Sequence, residues 1–180
     1  MSAIDGVLKA NGEFAKKFDL AELPMPPARK LAVVACMDAR MFLSKVLGLK
    51  AGDAHMIRNA GGIVTDDVLR TLILSHHLQG TQEFMIINHT ECGMLTFKDE
   101  DLRARLQRET GKTAEAPAHF YAFADLETNV REQIQKVKSH PWIPDHVSVR
   151  GFVYDVKTGK LKEVSAAAGT AAGTKLKAVG

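Results

Sequence analysis

Two short stretches of this chain carry residues able to do chemistry, at a spacing that invites it: Cys36-Met37-Asp38-Ala39-Arg40 and His89-Thr90-Glu91-Cys92-Gly93. Between them they offer two sulfurs, an imidazole and a carboxylate, the donor types that zinc accepts. Cys36 and Asp38 are two residues apart and share a side in extended chain. His89 and Cys92 are three apart, a separation that a turn leaving a strand can close around one ion. Two thiolates and a neutral imidazole balance the charge of Zn²⁺, so the fourth ligand sets the character of the site. With Asp38 in that position the site is closed; with water there it can catalyse. Arg40 lies two residues beyond Asp38, where a bidentate ion pair would hold the carboxylate away from the metal.

Each residue also has a plainer reading. Alone, Cys36 is a small hydrophobe in an apolar run, His89 a strand-end histidine, Asp38 a turn acid and Arg40 a surface base. Their combination singles them out. Cys36 and Cys92 are the only cysteines, and in a chain with no export signal a structural disulfide is not expected. His55, His76, His77, His119, His140 and His146 read as structural or solvated. A thiol-phosphatase loop fits poorly, because no glycine-rich anion cradle separates Cys36 from Arg40. Gly61-Gly62 lacks the glycine spacing of a nucleotide-binding loop. A closed, non-catalytic zinc-binding module stays open as a reading, although Arg40 has no evident duty in one.

Bringing residues 36 and 89 together is a task for a sheet. Residues 31–37, LAVVACM, form a nearly unbroken apolar run and predict a strand covered on both faces. Further strands are predicted over 54–58, 83–89 and 147–154, with a short antiparallel one over 161–164 after a Lys157-Thr158-Gly159-Lys160 turn. Between them the spacing predicts helices over 42–47, from a Thr65 cap to Gly80, over 97–109 with Thr96 as cap, and over 123–139. The first 20 residues read as a modest helix interrupted at Asn11-Gly12, an N-terminal arm that Pro24-Met25-Pro26-Pro27 leads into the core. Alternating strands and helices imply parallel pairing through right-handed crossovers. The expected fold is therefore α/β: a mostly parallel sheet with helices on both faces, one antiparallel edge strand and a helical arm. Ligands in such sheets gather at the carboxyl ends of the strands where the winding reverses. Cys36 ends the first strand and His89 the third, so they meet there if the second and third strands flank the first.

Composition narrows the classes. At 180 residues the chain suits one domain, expected over 1–164 with the arm at 1–27, and a low-complexity tail at 165–180 expected to be loosely ordered. A net charge of +3, with bases scattered among acids, argues against a nucleic-acid partner. No apolar run approaches the roughly 20 residues of a bilayer crossing, and the start lacks a secretory pattern, so no membrane partner is expected and the cytosol is the expected compartment.

Taken in order, Cys36-x-Asp38-x-Arg40, Arg58-Asn59-Ala60-Gly61-Gly62 and His89-x-x-Cys92-Gly93 resemble the motifs of the β-class carbonic anhydrases, above all their short forms. The likeness extends from about residue 23 to 164 and includes Pro24-Met25-Pro26-Pro27 and Cys92-Gly93-Met94-Leu95-Thr96-Phe97. It implies a parallel α/β sheet and one Zn²⁺ per chain held by Cys36, His89 and Cys92, with Asp38 as fourth ligand in a closed state. It also implies a catalytic Asp38–Arg40 dyad and a homodimer, or a dimer of dimers, in which the arm embraces a partner. The implied activity is attack of zinc-activated water on a small linear heterocumulene: reversible hydration of CO₂ to bicarbonate, with backbone around Gly93 steadying the product anion. Two thiolates donate more charge than histidines would, which favours mildly alkaline pH. The compact branch of the family also includes carbonyl sulfide hydrolases, and the ligand motif does not distinguish oxygen from sulfur. Larger members carry Ser where Met37 and Ala39 stand and Gly where Met94 stands, so the pocket wall differs.

Overall fold

The computed structural model describes residues 2–165, and the tail beyond Ser165 lies outside them. Five strands, β1 (Leu31–Cys36), β2 (Ala54–Asn59), β3 (Glu83–His89), β4 (Ser148–Tyr154) and β5 (Leu161–Val164), form one sheet in the order β2-β1-β3-β4-β5. All neighbours are parallel except β4 and β5, which pair antiparallel. The winding reverses at β1, which pairs with β2 on one side and β3 on the other. Alternation along β1 sends Val34 to one face and Val33 and Ala35 to the other.

The two faces are covered unequally. On the first lie α3 (Asp66–Gln79) and α5 (Leu126–Lys138), whose Val68, Leu69, Leu72, Val130, Ile134 and Val137 pack on Val34, Phe84, Ile86 and Val149. α5 approaches β4 at Gly151, where a β-carbon would meet Ile134 Cδ1 at 2.6 Å. On the second face, α2 (Leu43–Val46) contributes Leu43, and Met41, Leu49, Met94 and Tyr154 complete a cluster that includes Cys36 and Cys92.

Three helices depart from the expected boundaries. α1 (Ala3–Ala15) runs unbroken through Asn11-Gly12. A Ser2–Asp5 capping box starts it, and its interior glycines, Gly6 and Gly12, cost only about 1 kcal/mol each. None of its described residues is buried, and Ile4, Val7 and Leu8 are exposed. α4 (Asp99–Thr110) starts two residues later than expected, with Lys98 at the cap position, because Thr96 instead donates its hydroxyl to Gly93 O. α5 starts three residues late, where the Asp125 side chain accepts from the Thr128 N–H.

Candidate metal centre

β1 delivers Cys36 at its last residue, and Arg58 holds the chain that follows. Its guanidinium donates to Cys36 O from Nε at 3.0 Å and Nη2 at 2.8 Å, and to Asp38 O at 2.7 Å. β3 delivers His89 at its own end. Thr90 N–H is then anchored on Tyr154 O, and Glu91 takes a left-handed φ of 56°, which turns the chain so that Cys92 returns toward His89. Behind Cys36, the Ala60–Gly62 turn presses on the strand end. A β-carbon on Gly62, at φ 65°, would lie 2.9 Å from Cys36 N and Ile87 O, so this position needs glycine on both counts.

The sulfurs and a ring nitrogen of Cys36, His89 and Cys92 lie within 4.8 Å of one another, and all three residues are buried. The sulfurs stand 4.0 Å apart with no bond between them. His89 Nδ1 is 2.8 Å from Thr90 O, which fixes the proton on Nδ1 and leaves a lone pair on Nε2. That Nε2 is the one buried side-chain nitrogen or oxygen, among the described residues, with no hydrogen-bond partner. A buried lone pair left unmatched beside two sulfurs, on a histidine whose other nitrogen binds a backbone carbonyl, fits a zinc ion in donor type and number. The three groups are also coupled electrostatically. The hydrogen bond from the Cys92 thiol, despite burial, holds the Cys36 thiol down to about 4, helped by the Gly61 N–H at 3.4 Å, while the same bond and burial push Cys92 up. Burial pushes His89 down, but the Cys36 sulfur and the Thr90 carbonyl outweigh it and leave its pKa raised.

Asp38 sits at the rim of this group. Its Oδ2 is 3.7 Å from His89 Nε2, but the carboxylate is turned onto Arg40: Oδ1 accepts from Arg40 N at 2.8 Å and Nε at 3.0 Å, and Oδ2 from Nη2 at 2.7 Å. These hydrogen bonds outweigh its partial burial and hold its pKa far below the carboxylate range. Asp38 is thus paired with Arg40 beside the group formed by Cys36, His89 and Cys92. Arg40 also donates to Glu91 O and Glu91 Oε2, and Lys157 pairs with Glu91 Oε1 at 2.6 Å. Gly93 opens a 3₁₀ turn (Gly93–Leu95), and nothing beyond its chain neighbours lies within 4 Å of where its β-carbon would be.

The other histidines make ordinary contacts, among them His55 to Ser75 and Gln79, His76 to Thr81 O and His77 to Trp142 O. Reading the sequence missed the work of Arg58, Glu91 and Gly61. Arg58 and Gly61 stood inside a recognised motif, but no local spacing says that a guanidinium will reach carbonyls 20 and 22 residues away.

A parallel α/β sheet with a sulfur-rich donor group at its switch point describes an α/β metalloprotein whose chemistry sits at the strand tips. The chain belongs to the carbonic anhydrase family, in its β class: the family model described as carbonic anhydrase matches residues 31–161. "Beta-carbonic anhydrase 1" of Mycobacterium tuberculosis is 45% identical over 166 residues, 92% of this chain and 99% of that protein. A carbon disulfide hydrolase of Acidithiobacillus thiooxidans is 33% identical, covering 86% and 87%. The crystal structure of carbonic anhydrase from Streptococcus mutans superposes with a TM-score of 0.86 at 41% identity, covering 92% of this chain and 99% of the other.

Proposed function

We propose that this chain catalyses the reversible hydration of CO₂ to bicarbonate, with one zinc ion per chain held by Cys36, His89 and Cys92. When bound, zinc acts as a Lewis acid that lowers the pKa of water toward neutrality and so supplies a nucleophile for an electrophilic carbon. The residues of the chain do the rest. The Nδ1–H bond to Thr90 O holds the imidazole so that Nε2 faces the sulfurs. Asp38, kept ionised by Arg40, is an acceptor at every working pH; it takes a hydrogen bond from the nucleophile's remaining hydrogen and so aims its lone pair at the carbon. Arg40 is itself fixed by Glu91, so the carboxylate is positioned by a chain of charged groups. The open space over Gly93 leaves room for an anion beside Cys92, and we assign the backbone there to steadying bicarbonate.

The observation that carries this reading is the unmatched buried Nε2 of His89 facing two sulfurs. The 45% identity to a β-carbonic anhydrase supports CO₂ as the substrate. A second reading is hydrolysis of a sulfur analogue, carbonyl sulfide or carbon disulfide; relatives named carbon disulfide hydrolase at 33–35% identity favour it. A permanently closed zinc module fits less well, because Asp38 is turned onto Arg40.

One sample loaded with one zinc per chain separates these readings. CO₂ hydration should be fast, and sulfide release from carbonyl sulfide or carbon disulfide slow. Rates in the opposite order would establish the sulfur hydrolase, and neither activity would leave the closed module.

The remaining assignments concern the setting. We assign residues 1–164 to one domain and α1 to the surface of a second copy of the chain, which would cover Ile4, Val7 and Leu8. A cytosolic location accords with the lack of any described helix long and apolar enough to cross a membrane.

A further inference from the structure

A chain of three buried amides runs from α5 to the turn behind Cys36. Val64 N–H donates to Gln133 Oε1 at 2.8 Å, and Gln133 Nε2 donates to Asn129 Oδ1 at 3.0 Å. Asn129 Nδ2 donates to Asn88 Oδ1, and Asn88 Nδ2 donates to Gly61 O, at 2.6 and 2.8 Å. The direction of every bond is dictated by the ends. Val64 N–H can only donate and Gly61 C=O can only accept, so each amide has a single orientation that satisfies the chain. Asn88, Asn129 and Gln133 are exposed by 0%, 4% and 7%, so a misdirected amide would meet no water. Gly61, whose carbonyl ends the chain, is also the residue whose N–H faces Cys36 Sγ at 3.4 Å.

We propose that Asn88, Asn129 and Gln133 are positioning residues that fix the Gly61 N–H on the Cys36 sulfur and thereby tune how strongly that sulfur holds a metal. Gly61 alone could not hold this bond. It has a φ of 83° and no side chain, so the turn takes its shape from what grips its carbonyl. A hydrogen bond to a thiolate stabilises the ionised form that a metal requires and fixes the direction of the sulfur, as contacts to metal ligands generally orient them. Asn59 clamps the turn through Ile63 N and O, and the amides hold it on either side of that residue, at Gly61 O and Val64 N.

The role rests on the metal centre proposed above, and one set of measurements separates the two. The unaltered protein and Asn129→Asp are loaded with Co²⁺, and the sulfur-to-cobalt charge-transfer band and the rate of cobalt loss to a chelator are recorded. Asn129→Asp removes the donor and sets a carboxylate oxygen against Asn88 Oδ1, so its band should shift and cobalt should leave on the order of ten- to a hundredfold faster. Ile134→Val, on the same helix but in the apolar core, should lower the melting temperature without moving either readout. If Asn129→Asp does not fold, the milder Asn129→Ser decides in its place. A normal band in the unaltered protein, with band and release rate unmoved in the variant, overturns the positioning role alone. No charge-transfer band in the unaltered protein removes the metal centre and this role with it.

Discussion

Arg40 meets Asp38 side-on, with Nε and Nη2 each bonded to a carboxylate oxygen, so the acid beside the donor group is held in one orientation. If that orientation matters to the reaction, Asp38→Asn should lower turnover by roughly 10²-fold, in the range for a positioned acid–base group, while the metal stays bound. Paired measurement of kcat and metal content checks it; full turnover with metal retained would remove Asp38 from the mechanism. Arg40→Lys should also be slow, because an ammonium cannot reproduce the two-point grip.

Removing a donor should act on the metal first. Cys92→Ser is expected to leave much less than one zinc per chain after dialysis and to abolish activity, as chelation should in the unaltered protein. Zinc should also stabilise the fold, by about 2.7 kcal/mol at a hundred times its Kd. Thermal melts with and without zinc test this, and identical melts would count against a site built from these three residues.

Asp99 provides a pH-dependent test away from the metal. Partial burial would raise its pKa, but backbone N–H groups of Ala122, Phe120 and Tyr121 donate to it at 2.9, 2.7 and 3.2 Å and leave it lowered. A carboxyl with a depressed folded pKa adds stability that is complete above its unfolded value of about 3.9 and fades as pH falls through the folded one. Asp99→Asn should therefore cost about 1–3 kcal/mol at neutral pH and progressively less below about pH 4. Urea unfolding at several pH values checks it; a cost that does not change with pH would show that the charge is not what matters.

The contact between α5 and β4 depends on Gly151. Adding a β-carbon there drives it into Val130 and Ile134, so Gly151→Ala should destabilise by about 1–3 kcal/mol. The midpoint of urea unfolding should fall with its slope unchanged. An unaffected midpoint would mean that the helix moves aside freely, and the buried amides on the same helix should then be equally tolerant.

The strands were legible in the sequence because strand patterns are local. The apolar run at 31–37, the run ending at His89 and the turn at 157–160 each lie within a few residues; β1 and β3 occupy the two runs and β5 follows the turn. The α4 boundary was not, because Thr96, which suits a helix cap, is drawn to Gly93 O three residues back.

By itself, then, the sequence determined which residues could hold a metal and that Cys36 and His89 stand at strand ends, since donor type and short-range spacing are written in consecutive letters. Only the tertiary structure decided that Asp38 turns onto Arg40 and that Arg58 braces the carbonyls of Cys36 and Asp38. It alone decided that amides from α5 reach the turn behind Cys36. Those contacts join residues as many as 69 positions apart, and their geometry exists only once the sheet and its helices have packed.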